Sequence, residues 1–228
     1  MAQTNPITTS AFSWNSNILN ATHIQSNQTV TVTTSGVENG QVLTLYLNGY
    51  NYTGTIASNT TTITISAARL QALTDGATFE FIANVSDASG NAATTVTSSS
   101  FTVDKTAPAF SGVSLTANTS VNTTAVGYTL SKEIASGTVT WTRTSGTGDG
   151  SSPHVQNLAG TELNSGARAS AALTNAPTLV DGTIYTVTFN GTDAAGNAAT
   201  ELAVTGITYD TTAPAFSGIS LTTNTSVN

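Results

Sequence analysis

The stretch LTDGATFEFIANVSDASGNAAT at residues 73–94 decides how the chain is read. Phe79, Phe81, Ala83 and Val85 fall at alternate positions, and the other phase holds Thr78, Glu80, Ile82, Asn84 and Ser86, polar except for Ile82. A period of two is the signature of a strand with one covered face. The Asp-Gly pair before it and the DASGN run after it supply turn residues. The stretch returns as LVDGTIYTVTFNGTDAAGNAAT at 179–200, a shift of 106 residues. A period of that size is a whole domain stated twice, well beyond the roughly 20–50 residues of a solenoid unit.

Outward from this pair the same shift aligns FTVDKTAPAFSG (101–112) with ITYDTTAPAFSG (207–218). Upstream, QTVTVTTSGV (28–37), QVLTLYLNGY (41–50) and TTTITIS (60–66) also alternate, and SAARLQAL (66–73) allows at most two helical turns. The second copy supplies VTWTR (139–143), TIYTVTFNG (183–191) and TELAVTGITYD (200–210). About seven short strands per copy predict an all-β fold of tandem antiparallel β-sandwiches arranged end to end. The expected boundaries are a first sandwich at 1–104, a second at 105–210, and at 211–228 a linker with the truncated first strand of a third repeat. Phe12 to Asp75 spans 63 positions and Phe110 to Asp181 spans 71, so the second copy is longer in front. The insertion is placed in GTGDGSSPH, near 146–154, where Gly, Ser, Asp and Pro crowd together. Phe79, Phe81, Val85, Tyr185, Val187 and Phe189 are expected in the cores. Trp14 and Trp141 suit either a core or a carbohydrate-stacking surface.

Composition narrows the function. Only 7% of the 228 residues are charged, with 12 acidic against 5 basic and a formal net charge of -7. The five cations are scattered, so no basic stripe exists to neutralise a phosphate backbone, and nucleic acid is excluded as an expected partner. There is no cysteine, hence no disulfide, thiolate metal site or cysteine nucleophile. The opening MAQTNPITTS lacks a basic and then apolar leader, and no segment approaches the ~20 apolar residues of a membrane span. Neither His23 with His154 nor the five glutamates occupy matching positions in the two copies. A shared histidine triad or zinc site is therefore unsupported, and the expectation is a protein that is not an enzyme.

These motifs together resemble the bacterial immunoglobulin-like repeats of very large surface adhesins, including type I-secreted biofilm and RTX-type adhesins. The resemblance rests on TVTTSGVENGQVLTLYLNG, the LTDGATFEFIANVSDASGN run, the DAAGN loop and the D(K/T)TAP linkers, and it covers nearly the whole chain. It implies an extracellular, cell-surface extender that holds an adhesive tip away from a bacterium for attachment or biofilm formation. It also implies neighbouring repeats in the same polypeptide as partners, and calcium at domain boundaries. The expected state is a monomer. The alternative is that loops or edge strands bind a host or surface glycan or protein, with the inserted loop and Trp141 as candidates. Edge-to-edge self-association of Thr-rich strands is a third reading.

The aspartates sharpen the calcium expectation. Six of the seven form pairs at the shift of 106: Asp75 with Asp181, Asp87 with Asp193, and Asp104 with Asp210. In a seven-stranded sandwich the turn before the sixth strand and the end of the seventh lie at one pole, and the turn between those strands at the other. Asp75 and Asp104 are thus expected to meet Asp193 of the next copy in a Ca²⁺ site at the first junction, with Asn197 adding its amide, because hard Ca²⁺ takes six to eight oxygens. Asp87, Asp181 and Asp210 are expected as partial outer sites, and Lys105 as the cation competing at the first. The opposing reading is that each aspartate caps its own turn.

Overall fold

A computed structural model describes residues 8–12 and 17–218, with side chains from residue 17 onward. Trp14 and the strand expected in 219–228 lie outside the described residues. The chain divides into two compact units: the first runs to Ala109 and includes Lys132–Ala135 and Gly191–Thr200, and the second holds the rest.

The first unit carries β1 (Thr8–Phe12), β2 (Ile18–Asn20), β3 (Gln28–Thr33), β4 (Val42–Leu47), β5 (Tyr50–Thr55), β6 (Thr60–Ile65), α1 (Ala67–Gln71), β7 (Thr78–Phe79), β8 (Ile82–Asn84), β9 (Val96–Thr97) and β10 (Phe101–Asp104). Its ladders run in the orders β1-β3-β6, β5-β4-β8-β9 and β2-β10-β7. The alternation seen in the sequence is the alternation of burial: Val30 and Val32 on β3, Leu43, Leu45 and Leu47 on β4, and Ile63 and Ile65 on β6 all point inward. Phe81 and Phe101 stack in this core, their centroids 5.4 Å apart, and Phe79 packs half-buried against it.

Two expected strands are divided. QVLTLYLNGY turns at Asn48 and Gly49, both at positive φ, so β4 and β5 form a tight hairpin. Such a two-residue turn needs left-handed backbone that Asn and Gly adopt at low cost. ATFEFIANVS is interrupted at Glu80–Phe81, whereas its counterpart in the second unit is continuous. Serine accounts for the difference. The Ser98 hydroxyl accepts the Phe81 amide at 2.9 Å and donates to Ser99 O at 2.8 Å, diverting that amide from the ladder while the Ser98 amide still donates to Phe81 O at 2.8 Å.

The second unit carries β11 (Phe110–Ser111), β12 (Ser120–Val121), β13 (Val126–Leu130), β14 (Ser136–Gly146), β15 (His154–Asn157), β16 (Gly166–Ala171), β17 (Thr183–Thr192) and β18 (Leu202–Tyr209), except that the end of β17 from Gly191 belongs to the first unit. Its ladders are β11-β13-β16 and β12-β18-β17-β14-β15. Tyr128 packs against Phe110 and Phe189, while Trp141 meets Tyr185 edge-on at 6.0 Å. Tyr185, Val187 and Phe189 are fully buried, as the alternation predicts. The fold is all-β sandwich. In both units the last strand also takes a parallel partner, β2 on β10 and β12 on β18. The first of these pairings puts Asn20 opposite Asp104, which positions the site described next.

Candidate functional site

The acidic turns repeat as a hydrogen-bond pattern. Asp75 accepts the Lys105 amide at 2.6 Å and the Thr106 hydroxyl at 2.5 Å, and Asp104 accepts the Thr106 amide at 3.2 Å. In the second unit Asp181 accepts the Thr211 amide at 2.5 Å and the Thr212 hydroxyl at 2.8 Å, and Asp210 accepts the Thr212 amide at 3.0 Å. Each D-x-T linker is thus tied to the Asp-Gly turn before β7 in the first unit and before β17 in the second. Both of the tying carboxylates are held below their ordinary range: Asp75 chiefly by the Thr106 hydroxyl and Asp181 chiefly by the Thr211 amide.

The second repeated element is a loop closed on itself. Asp87 accepts the amides of Ser89 and Asn91 and the Asn91 side-chain Nδ2, all within 3.0 Å. Asp193 accepts the Asn197 amide at 2.8 Å and Asn197 Nδ2 at 3.0 Å. The aspartate-to-asparagine closure is therefore built into DASGN and DAAGN alike, and DASGN adds an Asx turn through the Ser89 amide. The two differ in surroundings. Asp87 is on the surface, whereas Asp193 is 4% exposed and Asn197 2%.

Around Asp193, within the first unit, a larger cluster forms. Lys132 Nζ donates to Asp193 Oδ2 at 2.8 Å, to Asp104 Oδ2 at 2.9 Å and to Thr106 O at 3.0 Å. Asn197 Nδ2 also reaches Asp104 O at 3.0 Å, and its Oδ1 accepts the Ala21 amide at 2.8 Å. Asn20 Nδ2 donates to Ala195 O at 2.7 Å. Burial raises the Asp193 carboxyl, but its hydrogen bonds from Lys132 and Asn197 outweigh this and leave it lowered. Burial likewise opposes the Lys132 charge, and the bonds to Asp193 and Asp104 leave that group raised.

Of the residues expected at the first calcium site, the structure brings Asp104, Asp193 and Asn197 together, while Asp75 is engaged with Lys105 and Thr106. The ammonium beside the carboxylates is that of Lys132; Lys105 Nζ instead bonds Gln71 O and Leu73 O. The donor set can be compared with what Ca²⁺ requires. The ion takes six to eight oxygens at about 2.3–2.6 Å. Here the Asn197 oxygen is committed to a backbone amide, its nitrogen faces the carboxylates, and a cation already stands between them. Among the described residues no group of three or more His, Cys, Asp or Glu could hold a metal ion. As placed, these residues do not fit calcium.

The inserted loop holds a further cluster that the sequence reading passed over. Asp149 Oδ2 receives His154 Nε2 at 2.6 Å and the Tyr185 hydroxyl at 2.7 Å, and its side chain is 1% exposed. The signal available was slight: the loop's single acid stands five residues before one of only two histidines. Trp141, a candidate stacking surface, is fully buried and donates its indole N–H to Gln156 Oε1 at 3.0 Å. It is core, so the loop is anchored inward with no aromatic platform from Trp141.

The His154 and Tyr185 hydrogen bonds hold Asp149 down at about 2, from an ordinary 3.8. A carboxyl lowered in the folded state adds stability that is complete above its unfolded value and disappears as pH falls through its folded one. The denaturant midpoint of the second unit is expected to fall between pH 3.8 and about 2. Asp149→Asn should flatten that segment of the profile, measured by tryptophan fluorescence against urea at each pH.

Residues 104–222 match the family described as the bacterial Ig-like domain. The chain belongs to the bacterial Ig-like domain family. Two solved structures share the fold of this bacterial Ig-like chain. One comes from work on host cell surface retention of a 1.5-MDa bacterial ice-binding adhesin, at 16% identity and a TM-score of 0.50, covering 91% of this chain and 66% of that one. The other is a Ca²⁺-stabilized adhesin described as helping an Antarctic bacterium reach out and bind ice, at 22% identity and a TM-score of 0.52, covering 91% and 49%. This bacterial Ig-like chain therefore spans about two thirds and about half of their lengths. No curated protein matches it.

Proposed function

We propose that this bacterial Ig-like chain is a structural extender segment of a bacterial cell-surface adhesin. In this reading it stands outside the cell in series with neighbouring Ig-like repeats of the same polypeptide, works as a monomer and carries an adhesive tip toward a surface or biofilm. The observation that carries the reading is the recurrence of one joint chemistry. Asp75 and Asp104 grip Lys105–Thr106 as Asp181 and Asp210 grip Thr211–Thr212. A device that fixes the chain's exit from each sandwich serves a tandem array. Pro108 and Pro214, two residues beyond each threonine, restrict the backbone further. The donors at Asp104, Asp193 and Asn197 do not suit calcium, so in this reading the chain's own hydrogen bonds hold that cluster. The segment's contribution in this reading is mechanical, and it performs no chemical turnover.

The rival reading, a glycan or protein ligand bound at an edge strand, is favoured by one feature. Tyr50, on the edge strand β5, is 46% exposed, with the Arg69 guanidinium 3.6 Å from its ring centroid. Two surface grooves, by contrast, are lined by small polar residues such as Asn122, Thr123 and Ser170 in one and Gln41, Thr44 and Asn84 in the other. The isolated chain on a glycan array, and over immobilised host-cell surface proteins, separates the readings. An extender gives no saturable binding. Saturable binding lost in Tyr50→Ala would transfer the function to the sandwich surface.

A further inference from the structure

The cation between Asp104 and Asp193 belongs to the chain itself. An ammonium has three N–H donors and no acceptor. Lys132 Nζ meets three acceptor groups, the Asp193 carboxylate at 2.8 Å, the Asp104 carboxylate at 2.9 Å and the Thr106 carbonyl at 3.0 Å, so its donors are fully used. Asn197 completes the arrangement: its nitrogen faces Asp104 and Asp193, and its oxygen is fixed by the Ala21 amide at 2.8 Å. A divalent ion at this position would have to expel the ammonium and turn the Asn197 amide over, leaving the Ala21 amide without its acceptor.

The companion loop shows what the lysine is for. Asp87 closes DASGN with the same two bonds from its asparagine that Asp193 receives from Asn197, adds one from the Ser89 amide, and has no cation among those bonds. Loop closure therefore does not require Lys132. What the ammonium adds at Asp193 is the link to Asp104 at the end of β10 and to the linker carbonyl of Thr106.

We propose that Lys132 is a built-in cation that takes the place of a divalent metal, joining the DAAGN loop to Asp104 and making this attachment independent of calcium. The link is covalently supplied, so it is present at any calcium concentration and cannot be removed by a chelator. The proposal stands whether or not the chain serves as an extender.

Thermal unfolding of the full chain, followed by circular dichroism in millimolar calcium chloride and in EDTA, tests it. The wild-type curves should superimpose, and Lys132→Met should lower the first unit's transition by roughly 5–10 °C. A calcium-induced rise in the wild-type transition that Asp193→Asn abolishes would overturn the proposal, as would a Lys132→Met variant melting with the wild type. Should Lys132→Met fail to fold, the wild-type comparison and its Asp193→Asn control decide the matter.

Discussion

Trp141→Ala is expected to destabilise the second unit by about 3–5 kcal/mol. The indole is fully buried, stands edge-on to Tyr185 at 6.0 Å and donates to Gln156 Oε1, itself fully buried. Removing it leaves a cavity between strands and a buried acceptor without its partner, two costs that add. Tyr50→Ala is the matched control, because that ring is 46% exposed and its main partner is the Arg69 guanidinium. Its loss should stay within about 1 kcal/mol. Urea unfolding read by circular dichroism distinguishes the two. Similar small losses would mean that Trp141 is accessible and the stacking reading must return.

Asp193→Ala should cost the first unit about 3 kcal/mol, the lower end for removing one partner of a buried ion pair. The low end applies because the Lys132 side chain is 29% exposed, against 2% for that of Asp193, and keeps Asp104 as a second carboxylate. The variant leaves the Asn197 amide without its acceptor and takes from the ammonium one of its two carboxylates. The pH dependence carries two signs. Asp193 is lowered in the folded state, so its contribution is complete above its ordinary 3.8 and is lost as pH falls through the folded value. Lys132 is raised, so its contribution is complete below its ordinary 10.5 and is lost as pH rises through the folded value. Chemical denaturation of wild type and Asp193→Ala at several pH values checks both limbs. A variant as stable as wild type at neutral pH would contradict the clasp.

The sandwich was legible because its evidence is local. Alternation in QTVTVT and VLTLYL is a statement about neighbouring residues, and burial follows it residue by residue along β3 and β4. The repeated aspartates were also visible, and Asp104, Asp193 and Asn197 do meet. Their partner was not visible, for a physical reason. Lys132 lies 28 positions from Asp104 and 61 from Asp193, in the front half where the two copies diverge and the shift of 106 aligns nothing. Lys105 drew attention by standing next to an aspartate, yet adjacency along an extended linker sends its side chain to Gln71 and Leu73 instead. The divided strand at Glu80–Phe81 was hidden likewise, since Ser98 reads as an ordinary polar strand residue until its hydroxyl takes the Phe81 amide.

The most direct test is an anomalous-scattering map from crystals of the chain grown in calcium, inspected at Asp104, Asp193 and Asn197. Lys132 Nζ is expected between the two carboxylates, with no anomalous peak there. A calcium peak ligated by Asp104 and Asp193, with Lys132 turned out to solvent, would contradict it.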